Sequence, residues 1–205
     1  MQLIGTLDSP YVRRVAVSLN LLGLPYEHKS VSVFSAFDEF RAINPVVKAP
    51  SLVCDNGTVL MDSTLILDYA EALAAGSGRT LMPTALPERA QALRLIGLAL
   101  AACEKTVQIV YERKLRPAEK IHEPWIDRVT SQLLAAYGEL ETALGQTPLA
   151  ATEESIDQAG LTVAVAWRFT LHMLPNSVIP DNFPALREFS RQAETLPAFQ
   201  AANFS

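Results

Sequence analysis

Three short stretches carry residues whose types and spacing could do chemistry. The first is Leu7-Asp8-Ser9-Pro10-Tyr11, between a short apolar strand and an apolar helical pattern. Proline suits the first position of a helix, because its missing N–H would have no intrahelical partner there. Ser9 then stands at a helix start, beside free N–H groups and the positive end of the helix dipole, which favours an anion. Its hydroxyl either caps that helix or holds an anionic atom of a ligand. The second stretch is Lys48-Ala49-Pro50, just ahead of a strand, where a proline is tolerated at the first residue. A cis Ala49–Pro50 bond would turn the Ala49 N–H and C=O outward, free to pair with an extended peptide. The third is Asp62-Ser63, at the start of another helix. An ordinary N-cap accounts for it. The same pair could also bind a zwitterion, with an ammonium on Asp62 and a carboxylate on the Ser63 hydroxyl and N–H. Together the three describe a groove for a short peptide: an amino-acid head at Asp62–Ser63, a backbone at Ala49, an anionic atom at Ser9.

The elements that must position these residues follow from periodicity. Strands are predicted over 2–6, 26–33, 51–54 and 59–61, the last two joined by the turn Asp55-Asn56-Gly57. Helices are predicted over 10–22, with Val12, Val15, Leu19 and Leu22 on one face and Gly23 as the stop, and over 63–73, with Leu65, Ile66, Tyr69, Ala70 and Leu73 apolar. A weaker segment at 36–43 ends at Asn44–Pro45. The order βαβαββα implies a mixed sheet with helices on its faces. Gly76-Ser77-Gly78 and the stretch to Pro87 read as a linker, after which only helical patterns remain: 88–113, 123–144, one starting at Ser155 or Asp157, 184–193 and 197–203. In 123–144, Trp125, Val129, Leu133, Ala136, Tyr137 and Leu140 share one face. Residues 156–169 carry no charge before Arg168 and read as the buried centre of the helical part. The expected division is therefore 1–76, a linker over 77–87, and an all-helical domain over 88–205.

Composition narrows the function classes. With 205 residues, 49% hydrophobic and 19% charged, the chain reads as a folded globular protein. A net charge of −5 argues against nucleic acid or an anionic membrane as the main partner. The apolar stretch around 93–103 is short for a bilayer and contains Arg94. No basic segment precedes the strand-like QLIGT, so no secretion leader is expected, and the sequon Asn203-Phe204-Ser205 reads as chance. Cys54 and Cys103 read as two reduced buried thiols of a cytoplasmic protein. His28, His122 and His172 are scattered, so no metal site is expected, and Ser9 lacks the glycines of a hydrolase nucleophile elbow.

The stretch SPYVRRVAVSLNLLGLPYE resembles the first-helix signature of the soluble glutathione transferases, whose plant tau-class form reads Ser-Pro-Phe with an Arg-Val shortly after. NPVVKAPSLVCDNGTVLMDSTLILDYAE is similar to their Asn-Pro…Lys-Val-Pro-x-Leu…Gly…Leu-x-Glu-Ser-x-x-Ile-x-x-Tyr segment. YERKLRP and EPWIDRV are similar to bacterial members, and FPALREFSRQAETLPAFQ to the family's final helices. The resemblance runs over nearly the whole chain. It implies a thioredoxin-like N-terminal α/β domain, an all-α C-terminal domain, a homodimer, glutathione as co-substrate and an electrophile pocket between the domains.

By position, the resemblance implies that Ser9 holds the glutathione sulfur. Lys48 lies near the glycyl end, Ala49 pairs with the cysteinyl backbone beside a cis Pro50, and Asp62 and Ser63 hold the γ-glutamyl head. A serine-type member favours conjugation, because serine cannot form the mixed disulfide open to omega-like proteins with cysteine at this place. Three departures stand out. Tyr11 replaces phenylalanine and adds a second hydroxyl, Asp62 is one methylene shorter than the usual glutamate, and the cap of the central helix reads Asp157-Gln158-Ala159-Gly160 or shifts to Ser155. Tyr11, Tyr111 and Trp167 are candidates for the electrophile pocket, with core packing the other reading of the latter two. Arg13 and Arg14 read as a solvated or salt-bridged helix face. Glutathione peroxidase side activity, a non-catalytic binding module of the same fold and a zeta-type isomerase are the alternatives in function.

Overall fold

The computed structural model describes residues 1–204. Four strands, β1 (Gln2–Ile4), β2 (Glu27–Lys29), β3 (Ser51–Val53) and β4 (Val59–Met61), form one sheet in the order β2-β1-β3-β4. β1 and β2 are parallel, and the other two pairings are antiparallel. The parallel pair is joined through helix α1 (Pro10–Leu21), and α2 (Phe37–Ile43) and α3 (Ser63–Ala74) complete the βαβαββα order. After a 3-10 turn at Ala75–Ser77 the chain is helical: α4 (Leu86–Lys114), α5 (Glu123–Gln146), α6 (Gln158–Met173), α7 (Pro184–Ala193) and α8 (Pro197–Gln200). This is the mixed sheet and run of helices that the element order implies, and the thioredoxin-like α/β domain followed by helices that the resemblance implies.

By contacts the chain divides into two units, Met1–Leu81 together with the segment from Thr195 onward, and Met82–Glu194. In the first, the start of the expected linker is tied down. Thr80 Oγ1 and the Leu81 N–H donate to the Glu71 carboxylate at 2.6 and 2.8 Å, and Leu81 is buried. The end of the chain, expected with the helical domain, lies on α1. Asn20 Nδ2 donates to the Ala198 carbonyl at 3.0 Å, Arg13 Nε donates to the Ala202 carbonyl at 3.0 Å, and Phe199 is fully buried. Ser205 of the sequon lies outside the described residues.

Several expectations are corrected. β1 stops at Ile4 because Gly5 takes φ +136°, where a Cβ would stand 2.6 Å from Val12 Cγ2 and 3.2 Å from Ala49 Cβ. β2 is three residues rather than eight. The Lys29 carbonyl accepts from both Gly5 and Val31 at 3.0 Å, which ends the ladder and turns Val31 into the core. Arg13 and Arg14 are not solvated; they are 1% and 2% exposed, since α1 is covered on several sides. On α3 the buried apolar residues are Ile66, Leu67, Ala70 and Ala74, while Leu65 and Leu73 face outward.

The second unit is organised on α6, whose residues from Gln158 to Trp167 are all buried. Its cap is Asp157, which accepts from the Gly160 N–H at 2.8 Å, and not Ser155. A Cβ at Gly160 would meet Phe189 Cζ and Ile156 Cγ1 at 3.2 Å, so the missing side chain lets α7 approach closely. Glu141 on α5 caps α7, accepting from the Ala185 and Leu186 amides at 2.8 and 2.9 Å. Trp125, expected on the buried face of α5, is 41% exposed. Cys54 and Cys103 are both buried, and no disulfide joins them.

Candidate functional site

The register of the sheet gathers the three stretches. Ile4, at the end of β1, is paired with Ser51 at the start of β3, and Ser51 is paired with Met61 at the end of β4. The segment leaving β1 toward Ser9, the Lys48-Ala49-Pro50 approach to β3 and the Asp62-Ser63 exit from β4 therefore share one end of the sheet.

At the first segment, Pro10 occupies the start of α1 and Ser9 is the N-cap residue, in extended conformation. The Ser9 carbonyl accepts from the Arg13 N–H at 2.9 Å, so its backbone does begin the helix. Its hydroxyl, however, makes no capping hydrogen bond. The side chain is half-buried and its oxygen is not spent on the helix it starts. Tyr11, one turn position on, is also half-buried.

At the second segment the Ala49–Pro50 bond is cis. Among the described residues neither the N–H nor the C=O of Ala49 has a backbone partner, while the flanking Lys48 carbonyl accepts from Ser51 Oγ at 2.8 Å. Ala49 thus offers one donor and one acceptor at an unpaired position beside a sheet, the requirement for adding an extended peptide.

At the third segment Asp62 caps α3 with φ +72°, accepting from the Thr64 N–H at 2.9 Å. Lys48 Nζ approaches its other carboxylate oxygen at 3.3 Å. Burial pushes the Asp62 pKa up, but the amide bonds from Thr64 and Leu65 and the ammonium of Lys48 outweigh that and hold it below the ordinary carboxylate value. Two residues expected at opposite ends of a tripeptide therefore pair with each other. Both are about half exposed, so the pair is a weak, exchangeable one. Ser63 is buried, and among the described residues its N–H has no backbone acceptor.

The sequence reading passed over what lies beneath Ser63. Arg14 NH1 donates to Ser63 Oγ at 3.2 Å and to Thr64 Oγ1 at 3.3 Å. A signal for it was present: Val12, Val15, Ala16, Val17 and Leu19 spread over more than one face of α1, which leaves Arg14 little outward surface.

The candidate pocket residues of the second unit separate. Tyr111, at the end of α4, borders an open cavity of about 500 Å³ with Leu115, Arg116 and Trp125. Trp167 is 2% exposed and packs edge-on against Tyr137 and Phe183 at centroid distances of 5.0 and 5.6 Å. It is a core residue of its unit, because the run from Gln158 to Trp167 is enclosed all round. Among the described residues no three His, Cys, Asp or Glu side chains are grouped to hold a metal.

Residues 3–78 match the family model of the glutathione S-transferase N-terminal domain. A zeta-class glutathione S-transferase of Euphorbia esula is 29% identical over 201 residues, covering 92% of this chain and 83% of that protein. A probable maleylacetoacetate isomerase of Drosophila melanogaster is 25% identical over 198 residues, covering 93% and 82%. A glutathione transferase family member of Pseudomonas fluorescens, solved with bound glutathione, superposes with a TM-score of 0.84 at 28% identity over 100% of this chain and 98% of that one. Sheet order, helical second part and this likeness together give the chain the glutathione transferase fold. The three gathered segments all fall in the residues that match this family model.

Proposed function

We propose that the protein is a glutathione transferase that joins the glutathione thiolate to small hydrophobic electrophiles. The observation that carries this reading is the Ser9 hydroxyl, at the N-terminus of α1 but not used to cap it. In the proposed complex the γ-glutamyl head lies at Asp62 and Ser63, the cysteinyl backbone pairs with Ala49 beside Pro50, and Lys48 leaves Asp62 for the glycyl carboxylate. The sulfur then accepts the Ser9 O–H. A free thiol has a pKa of about 8.5, so little is ionised near neutrality. A hydroxyl donor and a helix N-terminus favour the thiolate and lower that value. The thiol proton leaves to solvent. The thiolate lone pair forms a C–S bond as the leaving group departs with its electron pair. Ser9 stabilises charge and forms no covalent bond.

Tyr11, two residues beyond Ser9 on α1, is the proposed contact of the electrophile in the first unit; Tyr111, beside the open cavity of the second unit, remains a candidate there. The outward-facing Val59 and Met61 of β4 and Leu65 and Leu73 of α3 support a homodimer covering that face. No described helix is long and apolar enough to cross a membrane. A cytoplasmic enzyme, with peroxidase activity at the same thiolate, is part of the proposal.

The relatives that run the length of the chain favour a second reading, a glutathione-dependent isomerase of the zeta type. The two readings differ in stoichiometry. A conjugating enzyme presented with an aryl halide consumes one thiol per product. An isomerase turns over its substrate while total thiol stays constant. Conjugation with loss of thiol is the expected result, and glutathione binding with turnover only of a cis-enone diacid would favour the isomerase.

A further inference from the structure

We propose that Arg14 is a positioning residue for the α-carboxylate of the amino-acid head, acting through the hydroxyls of Ser63 and Thr64. The proposal rests on reading this end of the sheet as the glutathione site. Arg14 is 2% exposed, and it reaches both hydroxyls with the same nitrogen, NH1, at 3.2 and 3.3 Å. Arginine has donors and no acceptor. Each hydroxyl must therefore accept from Arg14, which leaves its own hydrogen to donate elsewhere. A serine hydroxyl with no such neighbour can rotate to give or to receive. Here the guanidinium occupies one lone pair of the oxygen and repels the hydroxyl hydrogen, so Ser63 turns that hydrogen outward as a donor beside its N–H, at the first position of α3.

The surrounding amides are already divided. Asp62 takes the N–H groups of Thr64 and Leu65, and its backbone carbonyl accepts from Ile66. The anion-binding capacity of this helix end is thus concentrated at Ser63, with a buried cation directly behind it. The carboxylate side of Asp62 faces the other half of a zwitterion. Ammonium and carboxylate are sorted by two adjacent residues, and Arg14 is what directs the hydroxyl hydrogen of the second toward the carboxylate. A lysine would keep the charge, but its ammonium sits on a flexible stem and would not hold both hydroxyls in the same geometry.

The test compares glutathione with the analogue in which the head α-carboxylate is replaced by hydrogen, γ-aminobutyryl-cysteinyl-glycine, both titrated calorimetrically. The wild-type protein is expected to prefer glutathione by about tenfold or more, the scale of hydrogen bonds to a charged group. In Arg14→Gln the preference is expected to fall to about twofold or less, with Arg14→Lys between the two. A structural role alone would weaken both peptides equally and leave the ratio unchanged, and that result overturns the proposal. Should Arg14→Gln not fold, Arg14→Lys carries the same test: a reduced ratio supports the proposal and an unchanged ratio overturns it. Ser63→Ala should lower the ratio as well, and adding Arg14→Lys to it should then change little. If wild type binds neither peptide, the glutathione reading itself fails. If it binds glutathione and the ratio ignores Arg14, only the positioning role fails.

Discussion

Three helices here begin at a residue able to cap them, and they treat it differently. Asp157 spends its carboxylate on the Gly160 amide, and Asp62 spends one oxygen on the Thr64 amide. Ser9 begins α1 with its carbonyl but withholds its hydroxyl. Asp157 sits within a buried helix of the second unit, where burial pushes its carboxyl pKa up. Asp62 faces Lys48 and is held low. A polar side chain at a helix start is thus a structural cap in one place, a cap that also pairs with a lysine in another, and a hydroxyl not spent on its helix in the third. The residue type alone does not distinguish them; what the oxygen already bonds does.

The contrast can be broken by substitution. Ser9→Ala is expected to slow conjugation by about 100-fold or more, as loss of one charge-stabilising donor does elsewhere. It should leave the thermal midpoint almost unmoved, because no capping bond is lost. A clear drop in stability would return Ser9 to the role of a cap. Asp157→Ala should do the reverse. A lost cap costs about 1 kcal/mol, visible as a lower denaturation midpoint with glutathione affinity unchanged. Asp62→Asn should sit between them, weakening glutathione binding while lowering stability slightly.

The last effect depends on pH in a defined sense. The folded pKa of Asp62 is depressed, so its stabilisation is present above the ordinary carboxylate value near 3.8 and is lost as pH falls through the lower folded value. The stability gap between wild type and Asp62→Asn should accordingly be open at neutral pH and closed in acid. Because the side chain is 45% exposed, the gap should be small and should shrink in salt. The smallest expected change is that of Lys48→Met, which should raise the Asp62 pKa in an NMR titration without unfolding α3.

Much of this was legible before any coordinates. Alternation and turn residues mark the βαβαββα order, because Gly57 takes a positive φ that other residues avoid and Pro10 has its φ fixed for a helix start. The convergence of Ser9, Ala49 and Asp62–Ser63 follows once strands are assigned, since each precedes or follows a strand end. What pattern could not give was partnership across distance. Arg13 and Arg14 look like a polar face until the final segment, with Phe199 buried, is laid against α1. Trp125 and Trp167 both stand at apolar positions of helices, yet one borders an open cavity and the other is enclosed. Whether the Ser9 hydroxyl caps its helix depends on one rotamer, which no sequence period encodes.

The central claim is that the Ser9 hydroxyl holds glutathione sulfur as thiolate. Ultraviolet difference titration of the enzyme-bound thiol measures this directly, in wild type and in Ser9→Ala. A bound thiol pKa well below about 8.5 in wild type, moving up toward that value in Ser9→Ala while glutathione stays bound, is the predicted result. An equally depressed pKa in both proteins would contradict the claim and move the search for the activating group to Tyr11.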